Sequence, residues 1–155
     1  MRHRPRVDLV SELSVGKLDD DLEKRLGEEL DAFNAAATGD PEEDSFAIQV
    51  TEDDGELIGG LTAYTWGSLC TVDLLWVRED RRQDGWGRRM LRAAELEAHK
   101  RGCDWVTVST YSFQAPDFYL RYGYQETGRT PGVPGGHEEI HLIKRLGPDG
   151  TSADS

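Results

Sequence analysis

The sequence predicts a mixed α/β fold in which helices pack on a single sheet. Three observations predict it: three short apolar segments with tight turns over residues 45–77, an amphipathic segment over about residues 85–101, and a strand, helix and two strands after it. A β-meander followed by such alternation combines both strand orientations in one sheet. A chain of 155 residues fits one domain, expected at 1–146, with a polar tail at 147–155 expected to be disordered.

The first elements are a short strand at residues 7–13 and a helix from Leu18 to about Ala37. Aspartates at positions 19–21 suit the positive end of that helix, and Thr38-Gly39-Asp40-Pro41 is typical of a helix end. The apolar residues of the helix recur at helical spacing: Leu18, Leu22, Leu26, Leu30 and Phe33.

The meander comprises strands at residues 45–50, 57–66 and 69–77, with Asp53-Asp54-Gly55 forming the first turn. After the helix at 85–101 come a strand at 105–108, a short helix at 115–122, and strands at 124–129 and 138–145. A loop is expected between the last two strands because it is rich in proline and glycine: Pro131, Gly132, Pro134, Gly135 and Gly136.

Composition excludes several classes of protein. The longest apolar runs, such as residues 74–77, fall far short of the ~20 residues of a membrane span, and no signal core follows Met1. We therefore expect a cytoplasmic protein without a membrane partner. Cys70 and Cys103 are far apart in sequence, and the four histidines lack ligand spacing, so neither a metal site nor a disulfide framework is expected.

The net charge of −12 comes with 14 arginines and only 4 lysines. Excess carboxylate with scarce lysine is typical of proteins adapted to concentrated salt, where screening weakens self-repulsion. An acidic surface that attracts a cationic substrate is the competing interpretation. Under either interpretation, nonspecific nucleic-acid binding is disfavoured.

A local positive region, residues 78–92, carries a net charge of +3 on this acidic chain. It contains the turn Arg82-Gln83-Asp84-Gly85-Trp86-Gly87, which follows a strand and opens a helix. Exposed N–H groups at such a helix start hold phosphate, and glycines allow close approach. A Rossmann turn would need glycine at Met90, and a Walker loop is absent. The competing interpretation is a plain turn with a solvated arginine face.

These residues resemble the acetyl-CoA signature of the GNAT superfamily of N-acetyltransferases, Gln/Arg-x-x-Gly-x-Gly/Ala after an L-x-V strand. Arg82, Gly85 and Gly87 fill the signature. The resemblance implies a twisted mixed sheet with helices on both faces, with acetyl-CoA as cosubstrate. It also implies that N–H groups of residues 83–88 bind the pyrophosphate while the strand backbone pairs with pantetheine. The implied cofactor-binding residues are Leu75, Trp76, Val77, Arg82, Gln83, Asp84, Gly85, Trp86, Gly87, Arg88 and Ser112.

The resemblance extends over roughly residues 45–146. The family pattern N-x-x-A-x-x-F/L-Y corresponds to residues 112–119, with Ser112 in place of asparagine as a pantetheine contact, and a late pattern runs from Gly136-His137 through Lys144 to Leu146. Tyr119 is the implied acid that protonates the departing CoA sulfur. The competing interpretation of Tyr119 is a core aromatic.

Something must also take a proton from the attacking amine. Asp73 precedes Leu75 and Val77 by two and four residues, so strand alternation predicts all three on one face and makes Asp73 a candidate base. An ordinary strand carboxylate is the alternative, and His137 and His141 are weaker candidates.

The implied reaction is direct transfer of acetyl from acetyl-CoA to a primary amine of a small molecule or peptide through a tetrahedral intermediate. Two alternatives stay open: a CoA-binding sensor without turnover, and an interaction domain that docks through its arginines. The sequence does not identify the acceptor. A homodimer is an expectation, because similar proteins are commonly dimers.

Overall fold

The structure is a computed structural model that describes residues 11–40, 43–148 and 150. The chain divides into two compact units, residues 1–41 and 42–155. Of the strand expected at 7–13, residues 7–10 lie outside the described residues, and residues 11–13 are not in a strand. The expectation is therefore wrong for those three residues, which pair with no strand of the described sheet.

The first unit contains helix α1, Asp20–Thr38, as predicted. The carboxylate of Asp19 accepts a hydrogen bond from the N–H of Asp21 at 2.9 Å, which caps the first turn. Gly39 ends the helix in the left-handed conformation, with φ 73°, and its N–H donates to the carbonyl of Ala35.

The second unit is a six-stranded mixed sheet with strand order β1-β2-β3-β4-β6-β5. β3 and β4 pair in parallel, and the other neighbours pair antiparallel. The predicted mixed α/β class is confirmed. The elements are β1 Asp44–Thr51, β2 Leu57–Trp66, β3 Leu69–Val77, a 3-10 helix Glu79–Asp84, α2 Trp86–Lys100, β4 Trp105–Tyr111, α3 Pro116–Arg121, β5 Gln125–Val133 and β6 His137–Arg145.

The core of this unit lies between the central strands and α2. Met90, Leu91, Ala94 and Ala98 recur at helical spacing and form the buried face of α2. α3 adds Tyr119 to the same cluster. The strand residues of this apolar cluster are Leu61, Ala63, Cys70, Val72, Val77, Val106, Val108, Ile140 and Leu142. None of the described helices is long and apolar enough to cross a membrane.

The end of the chain differs from the prediction. Pro131 and Gly132 belong to β5 rather than to a loop, because β5 is an edge strand, where proline is tolerated, and its register with β6 shifts between Pro131 and Val133. Residue 149 and residues 151–155 of the expected disordered tail lie outside the described residues. Within that tail, the carbonyl of Gly150 accepts a hydrogen bond from Arg92 at 2.5 Å.

Candidate active site

The sheet opens between β3 and β4. The two strands pair from Leu69 with Trp105 to Val72 with Val108, and the described residues show no pairing between them beyond that point. β3 then pairs only with β2, and β4 only with β6. One side of the β3 main chain therefore borders a gap that an extended ligand can enter as an added strand. Three predicted cofactor-binding residues lie along this edge: Leu75, Trp76 and Val77.

A β-bulge precedes the open edge. β3 has one residue more than β2 there, and Asp73 has no register partner. Val72 is buried and Leu75 packs against the same core, although strict alternation would put residues three apart on opposite faces. The prediction that Asp73 shares a face with Leu75 and Val77 is therefore wrong, because the bulge breaks the alternation. Asp73 is exposed beside the gap.

A glycine in the left-handed conformation joins the 3-10 helix to α2. Gly85 has φ 78°, and the predicted residues Gln83 and Asp84 form the last turn of the 3-10 helix before it. Within the described part of the chain, no side chain caps the start of α2. The first N–H groups of a helix lack intrahelical acceptors and carry its positive dipole end. The N–H groups of residues 86–88 therefore form a candidate anion site at the carboxyl end of β3.

Arg82 fastens this turn to the end of the open edge. Its Nε donates a hydrogen bond to the carbonyl oxygen of Val77 at 3.0 Å. The guanidinium thus has a structural role, and its two terminal nitrogens make no hydrogen bond to the described residues. Those terminal N–H groups remain available to an anionic ligand.

Three of the six predicted arginines form ion pairs inside the chain, the longest of them between Arg92 and Glu95 at 3.9 Å. Arg78 pairs with Asp80 at 2.6 Å and with Glu52 at 3.1 Å, and Arg81 pairs with Asp84 at 2.5 Å and with Glu52 at 2.9 Å. The hydrogen bond from Arg78 lowers the pKa of Asp80. Among the described residues, the guanidinium groups of this segment without an ion pair are those of Arg82, Arg88 and Arg89.

Glu52 also belongs to a group of three carboxylates, with Asp54 and Glu56, whose oxygens lie within 4.8 Å of one another. This is the arrangement among the described residues in which a cation could share three oxygens. Arg78 contacts both Glu52 and Glu56, and Arg81 contacts Glu52, so guanidinium groups already supply the countercharge.

Arg88 and Arg89 form no ion pair with the described residues. The Arg89 guanidinium lies 4.1 Å from the ring centre of Trp86, and that of Arg88 lies 5.7 Å from the ring of Tyr122. The indole Nε1 of Trp86 is buried without a hydrogen-bond partner in the described part of the chain. Because Arg89 covers its ring, Trp86 offers a ligand its backbone N–H rather than its side chain.

Tyr119 is both a core aromatic and a candidate acid. It is only 6% exposed, and its ring meets those of Phe118 and Tyr124 edge-on at 5.1 and 5.6 Å. Burial raises the pKa of its phenol above the ordinary value, so the hydroxyl keeps its proton at neutral pH. Among the described residues, nothing accepts or donates a hydrogen bond at that hydroxyl, which leaves its proton available.

Ser112 is already engaged within the chain. Its hydroxyl lies 3.0 Å from Nδ1 of His137 and accepts a hydrogen bond from the N–H of Glu138 at 3.0 Å. A serine hydroxyl has one donor and two acceptor sites. If the Ser112 hydroxyl donates its proton to His137, one acceptor site of that hydroxyl remains free. The expected hydrogen bond with pantetheine would have to use that site.

Comparison with known proteins identifies the family. Residues 44–126 match the family model of the acetyltransferase (GNAT) domain. The chain belongs to the GNAT acetyltransferase family. The resemblance inferred from the turn and from residues 112–119 is thereby confirmed at the level of the family.

Individual relatives agree with this GNAT assignment. The chain is 38% identical over 102 residues to blasticidin-S acetyltransferase of Streptomyces morookaense, covering 65% of this chain and 75% of that protein. It is 33% identical over 128 residues to an acetyltransferase of Agrobacterium fabrum, covering 83% and 93%. The crystal structure of an acetyltransferase from Agrobacterium tumefaciens matches with a TM-score of 0.82 and 31% identity, over 88% of this chain and 100% of that one. This GNAT protein is accordingly an acyltransferase.

The sequence reasoning missed a buried polar network in this GNAT domain. Lys144 Nζ lies 2.9 Å from Glu95 Oε2, and the hydroxyl of Tyr124 donates to the same oxygen at 2.9 Å. All three residues are buried. A signal was available: Glu95 lies on the apolar face of α2, and Lys144 alternates with the buried residues Ile140 and Leu142 on β6. A carboxylate on the core face of the helix and an ammonium group on the core face of the strand together indicate a buried ion pair.

Proposed function

We propose that this protein transfers the acetyl group of acetyl-CoA to a primary amine of a small molecule by direct attack. The observation that carries the proposal is that β3 separates from β4 after Val72, and that β3 leads through the 3-10 helix into the uncapped start of α2. Along the chain, the unpaired edge of β3 therefore comes first and the anion site at the start of α2 comes second. A pantetheine arm that ends in a diphosphate needs those two features in that order.

The residues fit such a ligand. The unpaired main chain of residues 75–77 can exchange hydrogen bonds with the amides of pantetheine, as an added strand does. The N–H groups of residues 86–88 and the terminal nitrogens of Arg82 supply donors for phosphate oxygens. Gln83, Asp84 and Gly85 contribute by shaping the turn, and Arg88 adds positive charge at its rim.

Tyr119 supplies the proton that the reaction needs at sulfur. The amine nitrogen forms a bond to the thioester carbonyl carbon, the carbon–sulfur bond breaks, and the sulfur takes the phenolic proton. A phenol whose pKa is raised by burial holds that proton until charge develops on sulfur. The amine gives up its own proton to Asp73, directly or through water.

Asp73 suits this second role because it stands exposed at the bulge, beside the gap where the acceptor would meet the thioester. The acceptor is proposed to be a small molecule because a relative 38% identical over 102 residues is named for acetylation of blasticidin S. Peptide amines are the competing acceptor class.

A Tyr119→Phe variant tests the catalytic part of the proposal. It should bind acetyl-CoA with unchanged affinity by calorimetry and release CoA thiol at least tenfold more slowly across a panel of amines. Tyr122→Phe, a neighbouring hydroxyl on the same segment, is the matched control and should keep full activity. Equal rates for Tyr119→Phe and the wild type would remove Tyr119 from the mechanism.

Two rival functions give different results in the same experiments. A CoA sensor would bind acetyl-CoA but show no thiol release with any amine. An interaction domain would bind no acetyl-CoA, so saturating ligand would produce no thermal shift, whereas ligand at 100 times its dissociation constant adds about 2.7 kcal/mol to the free energy of unfolding.

A further inference from the structure

Two aromatic rings stand exposed beside the gap between β3 and β4. Tyr111 ends β4, three residues beyond the last position that pairs with β3, and Phe113 follows it. Their rings stack almost parallel, with centroids 5.5 Å apart and an interplanar angle of 8°. They are 39% and 56% exposed. A stacked pair of exposed rings offers a flat apolar surface to a ligand, which a single exposed ring does not.

Hydrogen bonds hold the main chain that carries these rings. The side-chain oxygen of Gln114 accepts hydrogen bonds from the N–H of Tyr111 at 3.1 Å and from the hydroxyl of Thr110 at 3.2 Å. The N–H of Ser112 donates to the carbonyl of Glu138 at 2.8 Å. The Phe113 ring also meets the edge of His137 at 4.9 Å. Both sides of the short segment are therefore fixed before any ligand arrives.

The pair lies on the face of the sheet away from α2. Val106, Val108 and Thr110 form the buried series of β4, so Tyr111 belongs to the alternate, exposed series. The uncapped end of α2 and the buried ring of Tyr119 lie on the α2 side. An acceptor that reaches the gap from the exposed face would pass the two rings.

The charge around the rings is negative. Glu139 stands directly opposite Tyr111 in the β4–β6 register, and it forms no ion pair with a described residue. Glu138 belongs to the alternate series of β6, with Ile140, and lies 3.6 Å from Arg129, so Glu139 is the carboxylate on the face of the rings. Aromatic faces attract cations, and a flat cation can stack on them while a carboxylate balances its charge.

We propose that Tyr111 and Phe113 form a recognition surface for a planar cationic group on the acceptor, such as a guanidinium, while its primary amine reaches the thioester. This inference rests on the proposed function because it names the acceptor class of the same site. Tyr111 and Phe113 determine specificity in it. Neither ring takes part in the transfer of the proton or the acetyl group.

Two amines that differ only at the far end test the proposal. Agmatine carries a primary amine on a four-carbon chain that ends in a planar guanidinium, and 1,4-diaminobutane ends the same chain in a tetrahedral ammonium. Calorimetry of the full chain should give tighter binding of agmatine. Phe113→Leu and Tyr111→Leu should each reduce the agmatine preference about tenfold, the factor that corresponds to loss of an interaction worth about 1.4 kcal/mol.

Trp105→Leu is the matched control, because Trp105 is an exposed aromatic at the opposite end of β4 and should leave the preference unchanged. Acetyl-CoA affinity should also stay constant in all three variants. A preference that survives both ring substitutions, or an equal loss for the two amines, would overturn the proposal. A fall in acetyl-CoA affinity would overturn it too, because the rings would then serve the cosubstrate.

This experiment separates the inference from the proposed function. The binding preference between the amines is measured without turnover, so it stands or falls even if the protein transfers no acetyl group. Conversely, acetyl transfer to 1,4-diaminobutane with no preference for agmatine would support the proposed function and contradict the recognition surface.

Discussion

Gly87 and Phe118 pack against each other across the start of α2 and α3. A methyl group on Gly87 would lie 3.4 Å from the nearest atom of the Phe118 ring and 4.0 Å from Cγ2 of Val77, which is ordinary van der Waals contact. Alanine at position 87 therefore fits the folded chain. A loss of affinity in such a variant reports on the ligand rather than on folding.

Gly87→Ala should weaken acetyl-CoA binding at least tenfold in calorimetry, because the added methyl group stands beside the N–H groups that hold phosphate. The melting temperature should not fall, since alanine favours helix by up to about 1 kcal/mol relative to glycine. Gly27→Ala, at an open position within α1, is the control for that gain and should bind acetyl-CoA normally. Unchanged affinity in Gly87→Ala would place the diphosphate elsewhere.

Gly85 is the less informative of the two glycines to change. A Cβ there would meet no atom within 4 Å, but its φ of 78° strains any other residue. Valine at this position would disturb the turn as well as the ligand, so the two effects would not be separable. Sequence reasoning that treats both glycines as room for a ligand misses this difference.

The buried pair of Glu95 and Lys144 should behave as one unit. Lys144→Met alone removes the buried cation from the Glu95 carboxylate, leaves only the half-exposed Arg92 guanidinium 3.9 Å away, and should lower the free energy of unfolding by about 3–5 kcal/mol. Glu95→Leu combined with Lys144→Met should recover part of that loss, because no buried charge remains, while the Tyr124 hydroxyl loses its acceptor and the half-exposed Arg92 returns to solvent. Urea denaturation of the two single variants and the double variant measures the coupling. Additive losses would mean that the two charges do not depend on each other.

Stability should fall at alkaline pH because buried acids resist losing their protons. Burial, followed by the neighbouring Cys103, raises the pKa of the Cys70 thiol to about 12. The unfolded thiol ionises near 8.5, so its contribution is complete below that pH and is lost as pH rises towards 12. Cys70→Ala should therefore show a shallower loss, by up to about 1.4 kcal/mol per pH unit.

Urea denaturation at pH 8, 9, 10 and 11 measures this slope for the wild type and the variant. The pKa values of Tyr119 and Tyr124 are also raised by burial and add the same sign of dependence in both proteins. If the free energy of unfolding fell equally steeply with pH in the wild type and in Cys70→Ala, the Cys70 thiol would not contribute to the loss of stability at alkaline pH.

High salt should stabilise the protein, as its net charge of −12 predicts. Melting temperatures should rise as KCl goes from 0.1 to 1 M, since the screening length falls from about 10 Å to about 3 Å. The competing interpretation makes a different prediction. If the acidic surface attracts a cationic acceptor, the KM for that acceptor should rise over the same KCl series, because salt screens the attraction. A flat melting series would leave only the second interpretation.

The elements that local patterning defines were predictable from the sequence. Helical spacing predicts α1 and α2, and the glycine turn at residue 85 indicates both the helix start and the family. The boundary of β5 was not predictable in the same way, because Pro131 is tolerated only where a strand lies at the edge of the sheet. Edge position depends on the order of the strands.

The candidate site was predictable in its location but not in its contacts. Alternation misplaced Asp73 because a bulge adds one residue to β3 without any local signal. The charge of residues 78–92 did not show which arginines are free, since Glu52 comes from another turn to pair with Arg78 and Arg81. Both corrections depend on pairing between distant segments, which one sequence does not display. The homodimer and the cytoplasmic location stay predictions.

Since β3 and β4 have already separated beyond Val72 and Val108, a ligand that docks along the open edge breaks no hydrogen bond of the protein. Recognition there uses peptide groups, which every amino acid supplies. Side chains at Leu74 and Trp76 are exposed on the same strand, so substitutions there leave the peptide groups of the open edge in place.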